Sequence, residues 1–331
     1  DLNKDGKVDL IYAGDLKGNI WRFNVSSSDT SKWTASSIFV ATGPDGNVQP
    51  VVLAPQLSQH PTLTLSRSAS APNLVLTFSG GKFLESCDKD SAGCSGESTT
   101  RSMYSIWDFG GYICNRSELG VVGVEHFPDT MPKTRHVFDY DSKGYPGAGV
   151  SNATVACTTS GYRTLSSADG KSTYSLSSYK LGFYLDLELP YENVVNLEAF
   201  GKTRVIFETD YRKSSADACE SEYVTYPYDN FSLTGKPLAG VINPPDTAET
   251  AALVATLKAR GYTDAKAREL AAGIGGPGSM SLSGSYGLIR RNTFKQGNQC
   301  YISYNGTVIG PVACGSSRSI KRVSWREVIQ D

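Results

Sequence analysis

The sequence predicts an all-β fold, and three features of its pattern support this class. Short segments rich in Val, Ile, Tyr and Phe, many of them alternating apolar and polar residues, recur along most of the chain. Turn dipeptides such as Asp5-Gly6 and Asn305-Gly306 lie between such segments. Only residues 246–273 carry a helical pattern. At 331 residues the chain could form one large β domain or two ordinary ones.

Charge and cysteine content narrow the functional classes. The formal net charge is −1 without a basic tract, which argues against nucleic acid or an anionic membrane surface as partner. No C-x-x-C pair occurs and the three histidines are not clustered, so disulfides in an oxidising compartment are favoured over zinc. The pairing stays open, and the odd count predicts a free thiol or an upstream partner. The cysteines are Cys87, Cys94, Cys114, Cys157, Cys219, Cys300 and Cys314.

The first nine residues read as a calcium loop of the form D-x-N-x-D-G-x-x-D. Calcium is a hard cation that takes oxygen ligands from carboxylates, amides, backbone carbonyls and water. Gly6 permits the sharp turn that lets alternating side chains converge. We therefore expect one Ca²⁺ ion, bound by the side chains of Asp1, Asn3 and Asp5, the carbonyl of Lys7, and Asp9 directly or through water.

This loop differs from an EF-hand beyond its ninth residue. Position twelve is Tyr12 rather than glutamate, and the residues after Asp9 are β-formers leading to Gly14. The loop is therefore expected between β-strands. The alternative is an Asp/Asn/Gly-rich turn that binds nothing. Because a free α-ammonium on Asp1 would weaken a cation site, we also expect the chain to continue upstream.

The predicted strands begin with a hairpin at residues 8–14 and 19–25, closed by a turn at 15–18. Trp21 and Phe23 are expected to pack in the core as scaffold. A short strand is expected at Ile38 to Ala41 within a Ser/Thr/Gly-rich loop. Residues 49–55 lead to an edge strand, since proline cannot donate to a central ladder. The segments Leu74 to Phe78 and Met103 to Asp108 are predicted as strands, the first of them buried.

The middle of the chain is expected to hold insertions. Residues 111–180 are predicted to be loop-rich, with Cys114 and Cys157 as a candidate staple. Cys87 and Cys94 could close a short loop, in which Asp88 and Asp90 are expected to be solvated acids rather than a second metal site.

The later part returns to strand patterns at residues 179–189 and 204–208. A helical insertion at 244–275 is predicted as a surface αα-hairpin, with Gly261 as the stop of its first helix. A hairpin at 299–309 would turn at Asn305-Gly306 and pair Cys300 with Pro311.

Several of these segments together resemble the C-terminal β-propeller domain of the PilY/PilC family, the type IV pilus biogenesis factors and tip adhesins. The resemblance implies a modified quinoprotein-like β-propeller that is partial, with upstream blades missing, and that spans residues 1–331. In that family the propeller binds one calcium ion, and calcium loading governs whether pili extend or retract. The ligand roles carry over onto the five loop residues above. The segments are residues 1–9, 13–23, 80–84, 104–108 and 323–327.

No enzyme is expected. The sequence shows no Ser-His-Asp signature, no H-E-x-x-H and no nucleotide loop, and the acidic pair Asp139/Asp141 is read as solvated rather than as glycosidase carboxylates. A quinoprotein-like dehydrogenase would share propeller and calcium, but no adjacent cysteine pair occurs here.

The resemblance favours a calcium-binding pilus-tip protein with roles in adhesion and twitching motility. It implies export through the periplasm to the cell surface, at the pilus tip or outer membrane. Minor pilins, and a host receptor or glycan, are its expected partners. The alternative is a calcium-dependent surface lectin or host-cell adhesin that uses exposed tyrosines of residues 140–230.

Overall fold

The structure is a computed structural model. It describes residues 1–66, 68–82, 84, 88, 97–127, 134–139, 146, 149–150, 156–157, 162–187, 189–200, 203–213, 222–231, 247–259, 261–265, 267–268, 279–280, 282–284, 291–296, 299–304 and 307–312.

A three-stranded antiparallel sheet opens the chain, with strands β1 (Leu10–Gly14), β2 (Asn19–Asn24) and β3 (Thr34–Val40) in sequential order. The predicted first hairpin is confirmed. Asp15 shapes its turn, because its carboxylate accepts the backbone N–H groups of Lys17 at 2.8 Å and Asn19 at 2.9 Å. The strand predicted at Ile38 is longer than expected and begins at Thr34.

Most other strands belong to one eleven-stranded sheet, which confirms the all-β class. The strands are β4 (Gln56–Gln59), β5 (Leu74–Ser79), β6 (Ser102–Asp108), β7 (Gly120–Phe127), β8 (Thr134–Asp139), β11 (Gly182–Asp186), β12 (Asn193–Phe200), β13 (Arg204–Lys213), β14 (Glu222–Phe231), β15 (Ser279–Met280) and β16 (Leu282–Gly284). Their order is β12-β13-β14-β15-β8-β7-β11-β6-β5-β4, and β16 pairs with β14. Among these strands, the pairing of β7 with β11 is parallel and the others are antiparallel.

Smaller elements complete the described chain. Strands β9 (Thr164–Ser166) and β10 (Thr173–Ser175) form a two-stranded sheet. Strands β17 (Arg291–Gln296), β18 (Gln299–Tyr304) and β19 (Thr307–Val312) form a three-stranded sheet. The helix α1 covers Thr247–Ala259. In the described part of the chain, helices are too short or too polar to cross a membrane.

The core centres on β5 and β6, which are buried along their whole length. Both were predicted as strands, and their runs of apolar and aromatic residues explain the burial. The rings of Phe78 and Tyr104 stack with centroids 5.4 Å apart. This first cluster also takes in Ile20 and Phe39 from the opening sheet, so the opening and large sheets share a core. A second cluster lies further along the large sheet around Phe183 and Phe207.

A buried polar group joins the opening sheet to β6. Arg22 Nη1 lies 2.7 Å from Asp108 Oδ1, and the Tyr12 hydroxyl donates to Asp108 Oδ2 at 2.7 Å. The backbone N–H of Gly110 also donates to Asp108 at 2.8 Å. Burial raises the pKa of Asp108 although Arg22 and the hydrogen bonds oppose it. Burial, followed by the charge of Asp108, raises the pKa of Tyr12 well above its ordinary value.

Two residues predicted for the core lie elsewhere. Trp21 and Phe23 are half-buried, their rings 6.5 Å apart, on the face of β2 opposite Ile20. Side chains alternate between the two faces of a strand, so Ile20 and Arg22 face the core instead. The indole N–H of Trp21 donates to Asp15 at 2.9 Å, which ties this aromatic pair to the turn.

The expectation of a solvated Asp88 is wrong. Asp88 is fully buried, accepts the backbone N–H of Leu84 at 2.9 Å and lies 3.7 Å from the guanidinium of Arg101. A carboxylate can be buried when a cation and hydrogen-bond donors accompany it, and the distant Arg101 could not be foreseen from the local pattern. Asp90, Cys87 and Cys94 lie outside the described residues.

Residues 111–180 contain more strand than expected. β7 and β8 pair with each other within the large sheet, and β7 also pairs in parallel with β11. The loop-rich prediction therefore fails for these two strands. The predicted disulfide between Cys114 and Cys157 is present. Beside it, the buried Arg163 guanidinium donates to both oxygens of Glu118, at 2.6 and 2.8 Å. Asp139 ends β8, and Asp141 lies outside the described residues.

The later predictions hold in outline. Gly261 has φ +91° and donates its N–H to the carbonyl of Lys258, which confirms the predicted helix stop. Residues 264, 265, 267 and 268 are again helical, as an αα-hairpin requires. The predicted hairpin is present, with Tyr304 paired to Thr307. A register shift between Cys300 and Ile302 pairs Cys300 with Val312 rather than with the predicted Pro311.

Candidate metal site

The predicted loop lies directly before β1 and curls through two left-handed residues. Lys4 has φ +66° and Gly6 has φ +87°. Glycine adopts that conformation without a steric penalty, as predicted for position six. Residues 3–8 are exposed, as is Asp1, whereas Leu2 and Asp9 are buried. The loop therefore presents most of its polar side chains to solvent while two residues fix it to the protein.

Hydrogen bonds gather the oxygens of three predicted ligands. The N–H of Asp5 donates to Asp1 Oδ1 at 3.1 Å and to Asn3 Oδ1 at 2.9 Å. Because both oxygens share one donor, they lie side by side. The N–H of Gly6 donates to Asp1 Oδ2 at 3.0 Å, and the N–H of Lys7 donates to Asp5 Oδ1 at 2.8 Å. The loop thus holds its side-chain oxygens by its own backbone.

Asp9 has a different setting from the other predicted ligands. Only 4% of its surface is exposed, and its Oδ2 accepts the N–H of Leu2 and, at 3.4 Å, that of Asn3. Its carbonyl accepts the N–H of Val25 at 2.9 Å. Asp9 therefore closes the loop on its beginning and ties it to the end of β2.

The donor set decides which metal these residues fit. Within the described ranges, no three His, Cys, Asp or Glu side chains gather closely enough to hold a metal by themselves. An ion here would also need the Asn3 amide oxygen, a backbone carbonyl such as that of Lys7, and water. Calcium accepts such mixed oxygen sets, whereas zinc requires close nitrogen, sulfur or carboxylate ligands. The donor types of the predicted ligands Asp1, Asn3, Asp5, Lys7 and Asp9 are ones that calcium accepts.

The loop also contains a residue to which the calcium pattern assigns no role. Leu2 stands between two predicted ligands, and only 6% of its surface is exposed. It belongs to the first core cluster, together with Ile20 and Phe39. The loop contains two apolar residues, Leu2 and Val8, and the sequence alone does not indicate which is buried, since Val8 is 41% exposed.

Some of the tyrosines of residues 140–230 whose side chains the structure describes are engaged within the protein. Tyr228 is fully buried and stacks on Phe207, with ring centroids 4.4 Å apart. Tyr184 lies under the Arg116 guanidinium at 3.9 Å. Tyr162 is 49% exposed. Tyr228 is therefore not part of an exposed tyrosine surface, and Tyr162 is one residue that the lectin alternative could still use.

Comparison with known proteins gives three findings. A family model described as the PilY1 β-propeller domain matches residues 1–113, which include the loop of residues 1–9 and the strands through β6. The chain is 29% identical over 158 residues to a type IV pilus biogenesis factor PilY1 homolog of Xylella fastidiosa, covering 43% of this chain and 10% of that protein. It is 29% identical over 128 residues to PilY1 of Pseudomonas aeruginosa, covering 33% of this chain and 10% of that protein.

A solved structure agrees in fold. The crystal structure of the Pseudomonas aeruginosa PilY1 C-terminal domain superposes with a TM-score of 0.54 and 20% identity, covering 95% of this chain and 59% of that one. The chain spans 10% of the length of these two curated relatives. The resemblance noted from the sequence motifs is therefore confirmed. Residues 1–113 of the chain match the PilY1 β-propeller domain, and its fold is a partial β-propeller similar to the PilY1 C-terminal domain.

Proposed function

We propose that this chain is a calcium-binding propeller of a type IV pilus factor, with one Ca²⁺ ion held by residues 1–9. The observation that supports this most directly is the shared donor in the loop, which sets the oxygens of Asp1 and Asn3 side by side. The loop forms this arrangement with its own backbone. It therefore loses less conformational entropy when an ion binds.

A bound ion would supply positive charge to carboxylates that otherwise repel one another. The effect of the ion on the loop would reach the opening sheet and β6 through contacts between residues of the chain. Asp9 links the loop to the end of β2 through Val25, and Arg22 of β2 pairs with Asp108 of β6. Ordering the loop would thus favour the ordered form of the opening sheet and its junction with the large sheet.

At the level of the pilus, we propose that calcium loading of this domain regulates extension against retraction, and with it adhesion and twitching motility. The type IV pilus biogenesis role for which the relatives are named supports this setting. We place the domain at the cell surface in contact with minor pilins at the pilus tip, where a host receptor or glycan is a further candidate partner. The role is one of binding and assembly rather than catalysis.

Isothermal titration of this chain with calcium chloride tests the ligand assignment. Asp5→Ala removes an exposed ligand and is expected to weaken calcium binding at least about tenfold, equivalent to about 1.4 kcal/mol. Asp29→Ala is the matched control, because Asp29 is also exposed and also accepts a backbone N–H two residues on, at 3.0 Å, but lies outside the loop. Equal affinities for Asp5→Ala and the native chain would reject the assignment.

The pilus role needs a cellular experiment. Cells carrying Asp5→Ala in the full-length protein are compared with cells carrying Asp29→Ala, by counting surface pili and measuring twitching zones. We expect Asp5→Ala alone to alter both. A glycan array separates the lectin alternative, which requires sugar binding by the isolated chain.

A further inference from the structure

We propose that Leu2 is the positioning residue of the loop: its burial in the core fixes the flanking ligands and thereby sets the calcium affinity. This inference rests on the proposed calcium binding and assigns a role to a residue that is not itself a ligand.

The burial pattern is the first observation. Leu2 is 6% exposed and belongs to the core cluster that includes Ile20, Ile38 and Phe39. Its neighbours Asp1 and Asn3 are exposed. The chain therefore alternates here, and anchoring the Leu2 side chain inward holds the two polar side chains on the outward side.

The backbone of Leu2 is held as firmly as its side chain. Its N–H donates to Asp9 Oδ2, the same oxygen that the N–H of Asn3 approaches at 3.4 Å. Asp9 is itself buried and is tied to Val25. Leu2 is thus fixed by core packing on its side chain and by a buried carboxylate on its backbone.

These two constraints determine where the ligand oxygens can lie. Asp1 and Asn3 share the Asp5 N–H only while the backbone between them keeps its course through Leu2. A loop that is already ordered loses less conformational freedom when an ion binds, so affinity is higher. Linkage is reciprocal, so a loaded loop must in turn favour the buried position of Leu2 and protect the opening sheet.

The test compares Leu2→Ala, Leu2→Met and Leu176→Ala in this chain, each titrated calorimetrically with calcium chloride. Leu2→Ala is expected to weaken binding about tenfold, within the usual range of coupling between sites. Leu2→Met keeps the volume and is expected to stay near the native affinity. Leu176→Ala is the matched control, because Leu176 is fully buried in the same cluster but is remote from the loop in sequence. Its affinity is expected to be unchanged although the protein is less stable.

Amide hydrogen exchange distinguishes a positioning role of Leu2 from a general loss of stability. In the native chain, calcium is expected to slow exchange in β1 and β2, and Leu2→Ala is expected to lose most of that calcium-dependent protection. If Leu2→Ala does not fold, Leu2→Val is measured instead. We expect it to lose less of the calcium affinity and of the calcium-dependent protection than Leu2→Ala would.

Three outcomes overturn the inference. Native affinity in both Leu2→Ala and Leu2→Val shows that the side chain does not position the ligands. An equal loss in Leu176→Ala shows that general core stability sets the affinity. A native chain that binds no calcium removes the proposed function itself, and this result is recognised before any variant is measured.

Discussion

The carboxylate of Asp108, which contacts the opening hairpin, and the carboxylates of the loop before that hairpin are satisfied in opposite ways. Asp108 is buried, and Arg22, Tyr12 and Gly110 meet its charge permanently. Asp1 and Asp5 in the loop are exposed and are held by backbone N–H groups of the loop itself. The first arrangement stabilises the fold by itself, whereas the second leaves negative charge that a cation can neutralise. The carboxylate that is paired with buried protein groups thus has a structural role, whereas the exposed carboxylates are available to bind a cation.

The largest loss of stability is expected when Asp108 is removed from its buried contacts with Arg22 and Tyr12. Asp108→Ala leaves the Arg22 guanidinium and the Tyr12 hydroxyl without their shared partner, and removing one member of a buried pair costs about 3–5 kcal/mol. Urea unfolding without calcium measures this loss. Asp29→Ala serves as control and is expected to shift the unfolding midpoint much less, because Asp29 is exposed and only caps a three-residue 3-10 helix. Similar losses in the two variants would contradict the distinction.

The next effect concerns pH and another buried group. His60 is 4% exposed, and its Nδ1 accepts the N–H of Leu63 at 3.0 Å, so it is held neutral. Burial lowers its pKa from 6.5 to about 4. The folded state therefore binds the proton less readily than the unfolded state. Stability is full above pH 6.5 and is lost as the pH falls toward 4.

That loss should total about 3 kcal/mol, from about 1.4 kcal/mol for each unit of pKa difference. Urea unfolding in steps from pH 7.5 to pH 4 gives the profile, and His60→Gln is compared over the same range. We expect the variant to start less stable but to lose about 3 kcal/mol less on acidification. Parallel profiles would show that His60 does not carry this pH dependence.

A smaller effect is expected at the turn of the same hairpin. Burial acts to raise the pKa of Asp15, but the four hydrogen bonds from Trp21, Asn19 and Lys17 outweigh it and lower that pKa. Asp15→Ala is expected to cost about 1–2 kcal/mol, because several donors lose a charged acceptor. In the native chain this stabilisation is full above the ordinary carboxylate pKa. It is lost as the pH falls through the lowered pKa of Asp15. Urea unfolding at pH 7 tests the first part, and an unchanged midpoint would contradict it.

The smallest effect on the metal-free protein is expected in the loop. Asp5→Ala removes only exposed interactions with the loop backbone, so its stability without calcium should change by less than about 0.5 kcal/mol. A larger loss in the presence of a chelator would place Asp5 with the structural carboxylates rather than with the binding ones.

Local sequence predicted those parts of the fold whose signals are local. β5 and β6 are buried runs of apolar and aromatic residues, and the turn before β2 contains the residues that such turns require. β12 and β14 were missed, since each mixes apolar residues with acids and asparagine. The parallel pairing of β7 with β11 joins segments far apart in sequence, and no local pattern specifies it.

The candidate site divides in the same way. The proposed ligand types and the need for Gly6 follow from spacing alone, because carboxylates at alternate positions around a glycine suit calcium. The burial of Leu2 and Asp9 does not, because it depends on a core assembled from distant strands. For the same reason, the burial of Asp88 beside Arg101 could not be predicted.

The most direct test of the central claim is the effect of calcium on unfolding of the native chain and of Asp5→Ala. Both are unfolded in urea, once with a chelator and once with calcium at a hundredfold excess over the native dissociation constant. Linkage predicts a gain of about 2.7 kcal/mol for the native chain, and a gain below about 1.5 kcal/mol for the variant once its affinity is tenfold weaker. Equal gains in both proteins, or no gain in the native chain, would contradict the account.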